Sequence, residues 1–190
     1  MNTLARFRLR AEARVFGLGY FWWILEPLMY VGVFYLVFVL LLGNREPDFL
    51  FFLAVGKLTF IWFSKTVNQA SLSLISSRAI MAQTNLPKHL FPMAVIHEGL
   101  YRQVAVFAFL LVFLWAAGYA PDPAWLWLIP VIATQYLLIM GCSLLAALLV
   151  CLKRDFQMLI QLSMVFLLFM SGVFWNIQAI SNAELIFWLE

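Results

Sequence analysis

The stretch WLWLIPVIATQYLLIMGCSLLAALLV, residues 125–150, contains no charged side chain. A helix needs roughly 20 apolar residues to cross the hydrocarbon core of a bilayer, and this run supplies them. Working outward from it, further long apolar runs lie near 23–43, 49–66, 103–119 and 158–175. With no water in the hydrocarbon layer the backbone must satisfy its own hydrogen bonds, so each run is read as a helix. The fold class expected is an all-α polytopic membrane protein with five transmembrane helices. Composition agrees: 65% of residues are hydrophobic and 11% charged, with a mean hydropathy of +0.96. A soluble domain carries about 25% charged residues. In 190 residues these spans leave no room for a separate soluble catalytic domain, so 1–190 is read as a single transmembrane domain.

Residues 1–21 hold Arg6, Arg8, Arg10 and Arg14, with Leu4, Phe7, Ala11, Val15 and Leu18 recurring on one helical face. Such a pattern predicts an amphipathic helix lying in the membrane interface. The apolar run after Trp22 is too long for a signal peptide and lacks a small-residue cleavage site, so it is read as an anchor. Pro27 is tolerated in its first turns, where few backbone donors are lost. The Ser-rich continuation from Asn68 to Ser77 predicts that the second helix extends beyond the bilayer before breaking. The prolines of Asn85-Leu86-Pro87-Lys88-His89-Leu90-Phe91-Pro92 interrupt any long helix there. Residues 176–190 are less apolar until Leu185. An odd number of spans, ending at Glu190 as a new apolar stretch begins, predicts a longer, six-span protein.

The basic residues alternate between the ends of the spans. The amino terminus has four arginines, the 66–102 connection has Arg78, Lys88 and Arg102, and the 151–156 turn has Lys153 and Arg154. The other connections offer Arg45, offset by Glu46 and Asp48, and then no base around Asp122 or after Trp175. By the positive-inside rule the amino terminus is cytoplasmic. The net charge of +3 is thus an orientation signal rather than a nucleic-acid patch. Trp22, Trp23, Trp125, Trp127 and Trp175 fall at the expected interfaces, as an aromatic belt requires.

Function then rests on polar residues within apolar surroundings, because lipid makes them costly. Lys57, Ser64, Asn68 and Ser71 share one helical face and, with Lys65, form a candidate conduit stripe. A charge at mid-membrane costs about 2.5 kcal/mol or more unless it meets water or a partner. At about 1.5 Å per residue from Phe49, Lys57 sits near mid-bilayer and Lys65 near the inner boundary. Glu26 is expected at the depth of Lys65, so the two either pair or Lys65 reaches the inner headgroups alone. His97 and Glu98 are adjacent and so diverge by about 100° on a helix. They lack a second acidic partner nearby and are read as solvated cytoplasmic residues ahead of the third span. Gly56-Lys57 is followed by Leu58 and lacks the earlier glycine of a P-loop, so no ATP site of this chain's own is expected. Cys142 and Cys151 have neither the number nor the setting of a zinc site or a disulfide framework, and no metal is expected. The aromatic content of 17% suits either a sugar path or helix packing, and composition does not separate the two.

The run Phe16-Gly17-Leu18-Gly19-Tyr20-Phe21-Trp22-Trp23-Ile24-Leu25-Glu26-Pro27 resembles the Leu-Gly-x-x-Trp-x-x-Leu-x-Pro opening of membrane subunits of type-2 ABC exporters. The likeness is nearest to the capsular polysaccharide and O-antigen permeases. Ala54-Val55-Gly56-Lys57-Leu58-Thr59-Phe60-Ile61-Trp62-Phe63-Ser64 looks like that family's second span, with Lys57 in place of a usual apolar residue. The segment Asn85–Pro92 is similar to its cytoplasmic Lys-x-x-Phe-Pro element, and Arg154-Asp155 matches the pair before its fifth span. The resemblance implies a homodimeric half-transporter in the cytoplasmic (inner) membrane, served by two copies of a P-loop subunit that carries ATP and Mg. No cofactor is implied in this chain. The cargo implied is a lipid-linked glycan moved outward. Asn85, Leu86, Pro87, Lys88, His89, Leu90, Phe91 and Pro92 would dock on the ATPase. Arg10, Arg14, Gly19, Tyr20, Trp22, Glu26 and Pro27 would form a cytoplasmic gate. Residues 176–190 would begin an extracytoplasmic reentrant region. A type-2 permease for a drug or lipid is the nearer alternative. A membrane-embedded transferase is the more distant one, and it would need a catalytic constellation that the sequence does not offer.

Overall fold

The computed structural model describes residues 25, 28–30, 32–33, 35–41, 49–83, 86–119 and 122–173. The amphipathic segment 1–21, the turn at 44–48 and the carboxyl-terminal stretch 176–190 lie outside the described residues. So do the expected gate residues Arg10, Arg14, Gly19, Tyr20, Trp22, Glu26 and Pro27, and Asn85. Of the first span, Tyr35–Leu41 is a π-helical stretch.

The regular elements described are all helical. They are α1 (Phe49–Ser76), a short α2 (Arg78–Gln83), α3 (Leu90–Ala116), a 3-10 turn (Pro123–Trp127), α4 (Leu128–Leu152) and α5 (Phe156–Met170). At about 1.5 Å per residue α1, α3 and α4 each reach roughly 38–42 Å, beyond the ~30 Å hydrocarbon core. Among the described residues, Leu90–Ala116 and Pro123–Leu152 are long and apolar enough to cross a membrane, and Phe156–Met170 is a shorter apolar helix.

The ends of these helices follow local chemistry. α1 continues through its serines to Ser76, as expected. There Ser71, Ser73 and Ser76 donate their hydroxyls to the carbonyls of Asn68, Ala70 and Ser73, at 2.7, 2.6 and 3.2 Å. Such back-bonding competes with the helical ladder and weakens it toward the break at Ser77. α3 begins at Leu90, well before the expected start of the third span near Gln103. Pro92 does not delay it, because a proline in the first turn lacks a donor that has no intrahelical acceptor anyway. At the far end of α3, Tyr119 N–H bonds the Leu114 carbonyl and Gly118 N–H that of Trp115, both at 3.1 Å. This is a Schellman cap, and it needs the left-handed φ of +99° that Gly118 supplies. α5 ends at Met170, short of the expected boundary at 175, because the chain turns through Gly172 at φ +70°.

α1 is the central element, packed against α4, α3 and α5. The α1–α3 pair is antiparallel. Phe51 meets Phe113 at 5.7 Å between ring centroids, Trp62 meets Phe107 edge-on at 6.1 Å, and Thr66 abuts Gly99. One core joins Trp62, Phe63, Val67 and Ala70 of α1 to Val95 and Ile96 of α3, Ile139 and Ala146 of α4, and Met164 of α5. The interior also takes Thr66, Ser71, Ser73, Glu98, Gln103 and Ser143, while Leu145, Leu152, Leu162 and Phe166 are exposed. A water-soluble helical domain does not leave so much contiguous apolar surface exposed. Helices in lipid associate through close packing of small residues, and the buried Ala70, Ser143 and Ala146 and the Gly99–Thr66 contact fit that rule.

Candidate functional site

The segment before α3 forms a defined turn. Leu90 N–H bonds the Pro87 carbonyl at 3.1 Å, and Met93 N–H bonds that of His89 at 3.2 Å. Leu86, Pro87, Lys88 and His89 are exposed, whereas Phe91 and Pro92 directly behind them are buried. The result is a projecting polar tip on an apolar root, geometry suited to docking on another protein. The turn leads α3 at the end of the bundle where α1 finishes. The ends of α1 and α4 share that corner, since Leu74 and Arg78 line the same cavity as Val150 and Arg154. Arg78, Lys88, Lys153 and Arg154 therefore gather at one end. Trp115, Asp122, Trp125 and Trp127 lie at the other, with Trp115 and Trp127 largely exposed.

The polar residues of α1 divide into two groups. Ser64 and Asn68 are half-buried and bonded to one another, with Asn68 Nδ2 donating to the Ser64 carbonyl at 2.8 Å. Ser71 is fully buried and its hydroxyl is committed to the Asn68 carbonyl. Lys65 is exposed and Lys57 half-buried. The structure thus brings Ser64, Asn68 and Ser71 together along α1. The expected Glu26 partner of Lys65 lies outside the described residues.

Glu98 corrects the sequence reading. It is not a solvated residue ahead of the span but lies within α3 and is only 8% exposed. Arg102, one turn later, donates from Nη2 to Glu98 Oε1. His97 is half-buried, with Nδ1 at 2.8 Å from the Met93 carbonyl and its ring edge-on to Tyr136 of α4. Gln103 completes this group and is buried. The antiparallel register sets Glu98, Arg102 and Gln103 at the height of Ser64–Asn68 on α1, which gives a polar layer across the α1–α3 pair. The spacing of Glu98 and Arg102, acid one turn ahead of base, was the sequence signal for the pair. Among the described residues Trp62 Nε1, Asn68 Oδ1, Gln103 Nε2 and Ser143 Oγ are buried without a hydrogen-bond partner. No cluster of His, Cys, Asp or Glu among the described residues suits a metal ion.

Comparison with known proteins agrees with this architecture. Two proteins of Klebsiella pneumoniae, each named O-antigen export system permease protein RfbA, are 27% identical to this chain over 168 and 158 residues. These matches cover 87% and 82% of the chain and 64% and 61% of the relatives. A Myxococcus xanthus protein of the same name is 28% identical over 123 residues, 65% of the chain and 46% of the relative. The chain therefore spans about three-fifths of the length of the first two relatives it matches. The model of the ABC-2 type transporter family matches residues 2–190. With a bundle of apolar helices that buries a few polar side chains in its core and a family match along nearly its whole length, the chain belongs to the ABC-2 type transporter family.

Proposed function

We propose that this chain is the transmembrane subunit of an ATP-driven exporter that moves a lipid-linked glycan of the O-antigen or capsule type from the cytoplasm outward. The observation that carries the reading is the likeness, over most of the chain, to relatives named for O-antigen export. The exposed turn Leu86–His89 on its buried root supports a coupling role. Two copies of the subunit line the path, and two copies of a separate P-loop subunit bind ATP and Mg and dock at this turn. Closure of the ATP-bound pair pushes on Pro87–His89. Phe91 and Pro92 pass the displacement into α3, and α1 follows because Gly99 and Thr66 interlock. The half-buried Lys57 offers a positive charge to an anionic cargo. The subunit sits in the inner membrane with its amino terminus in the cytoplasm, so that the arginine-rich end faces the ATPase.

Deleting the gene in its native host and quantifying surface and cytoplasmic lipid-linked glycan separately tests the reading. Loss at the surface with accumulation inside is expected. Unchanged glycan in both fractions would contradict the assignment and favour a drug or lipid as cargo.

A further inference from the structure

The corner where α1 and α4 end and α2 begins holds a cavity of about 190 Å³. Arg78 and Arg154 line it, with Leu74, Ile75, Met81 and Leu152 among its apolar walls, and among the described residues no carboxylate contributes to the lining. Both arginines are exposed, and among the described residues neither has an ion-pair partner. Asp155 follows Arg154 in the chain but is paired with neither guanidinium. Arg78 and Arg154 stand just beyond the last residues of α1 and α4, where the chain leaves its apolar length, the height at which headgroups lie. From this cavity an exposed track of Leu152, Leu148 and Leu145 runs up one face of α4 toward mid-bilayer.

We infer that this cavity is a binding site for the phosphate-bearing headgroup of an anionic membrane lipid, with the phosphoryl oxygens held between Arg78 and Arg154 and an acyl chain laid along Leu152, Leu148 and Leu145. A guanidinium presents paired donors that match phosphate geometry, and two of them around one cavity suit a single phosphodiester. A free phosphate ion shares that chemistry. The leucine track favours the lipid, because a soluble ion has no use for an apolar path leading away from the charge. The site does not depend on which cargo the transporter carries.

Equilibrium binding of fluorescent phosphatidylglycerol and phosphatidylcholine to the purified full-length transporter in detergent tests the inference. Phosphatidylglycerol is expected to bind more tightly, and Arg78→Gln or Arg154→Gln to weaken it by about fivefold each while leaving phosphatidylcholine binding unchanged. Lys153→Gln removes an equal charge outside the lining and is expected to change binding by less than about twofold. If a glutamine variant fails to fold, Arg78→Lys and Arg154→Lys keep the charge but lose the fork, and a smaller loss is expected from them. Equal affinity for the two lipids, or equal effects of Arg154→Gln and Lys153→Gln, would overturn the site. Inorganic phosphate binding as tightly as the lipid would show a soluble-anion site and overturn it too. Loss of the arginine-dependent preference on assembly with the ATP-binding partner would mark a protein-docking surface instead.

Discussion

Gly99 faces a side chain that leaves it no room. A β-carbon there would stand 2.5 Å from Thr66 Oγ1, and Thr66 is 2% exposed and stiff at χ1. Gly99→Ala gains about 1 kcal/mol in helix propensity but overpacks the contact at a cost of about 1–3 kcal/mol. A net loss of about 1 kcal/mol is expected in thermal unfolding of the detergent-purified protein. In a Thr66→Ala background the same change should stabilise, and a loss of equal size in both backgrounds would show that the close approach is not the cause. Neither partner was legible in the sequence as half of a contact, since residues 66 and 99 meet only once α1 and α3 pair. Glu98 was misread for a related reason. A lone carboxylate near basic residues reads as solvated, and its burial depends on the neighbours that α1 and α4 bring. The stripe of Ser64, Asn68 and Ser71 was legible because a helical face needs no tertiary partner to define it.

Among the elements, the break between α1 and α3 separates a stable root from an exposed tip. Lys88 and His89 take no part in the core, so Lys88→Glu with His89→Ala should leave the unfolding temperature unchanged and abolish export in the complemented deletion strain. Export at the normal level in that variant would remove the turn from the coupling path. Two prolines made this interruption readable in advance, while the start of α3 at Leu90 was not, because Pro92 breaks a helix interior but not a first turn. The early end of α5 at Met170 was equally hidden, since Gly172 lies inside a run that still reads as apolar.

For the whole molecule, apolar run length and alternating loop charge were enough to anticipate an all-α membrane fold, because both follow from the bilayer rather than from packing detail. The proposed orientation places Cys151, exposed at the basic end, on the cytoplasmic side. In a variant where it is the sole cysteine, a membrane-impermeant thiol reagent should label it in inverted vesicles and not in right-side-out ones. The reverse pattern would invert the topology. The central claim is vectorial movement of a lipid-linked glycan driven by a partner's ATP. Inverted inner-membrane vesicles from the native host, loaded with their own lipid-linked glycan, test it when the glycan accessible to an added glycosidase is measured with and without ATP. The expected result is ATP-dependent protection as glycan moves into the lumen, present in vesicles from the wild type and absent from those of the deletion strain. Protection that ignores ATP, or that persists without this subunit, would contradict the account.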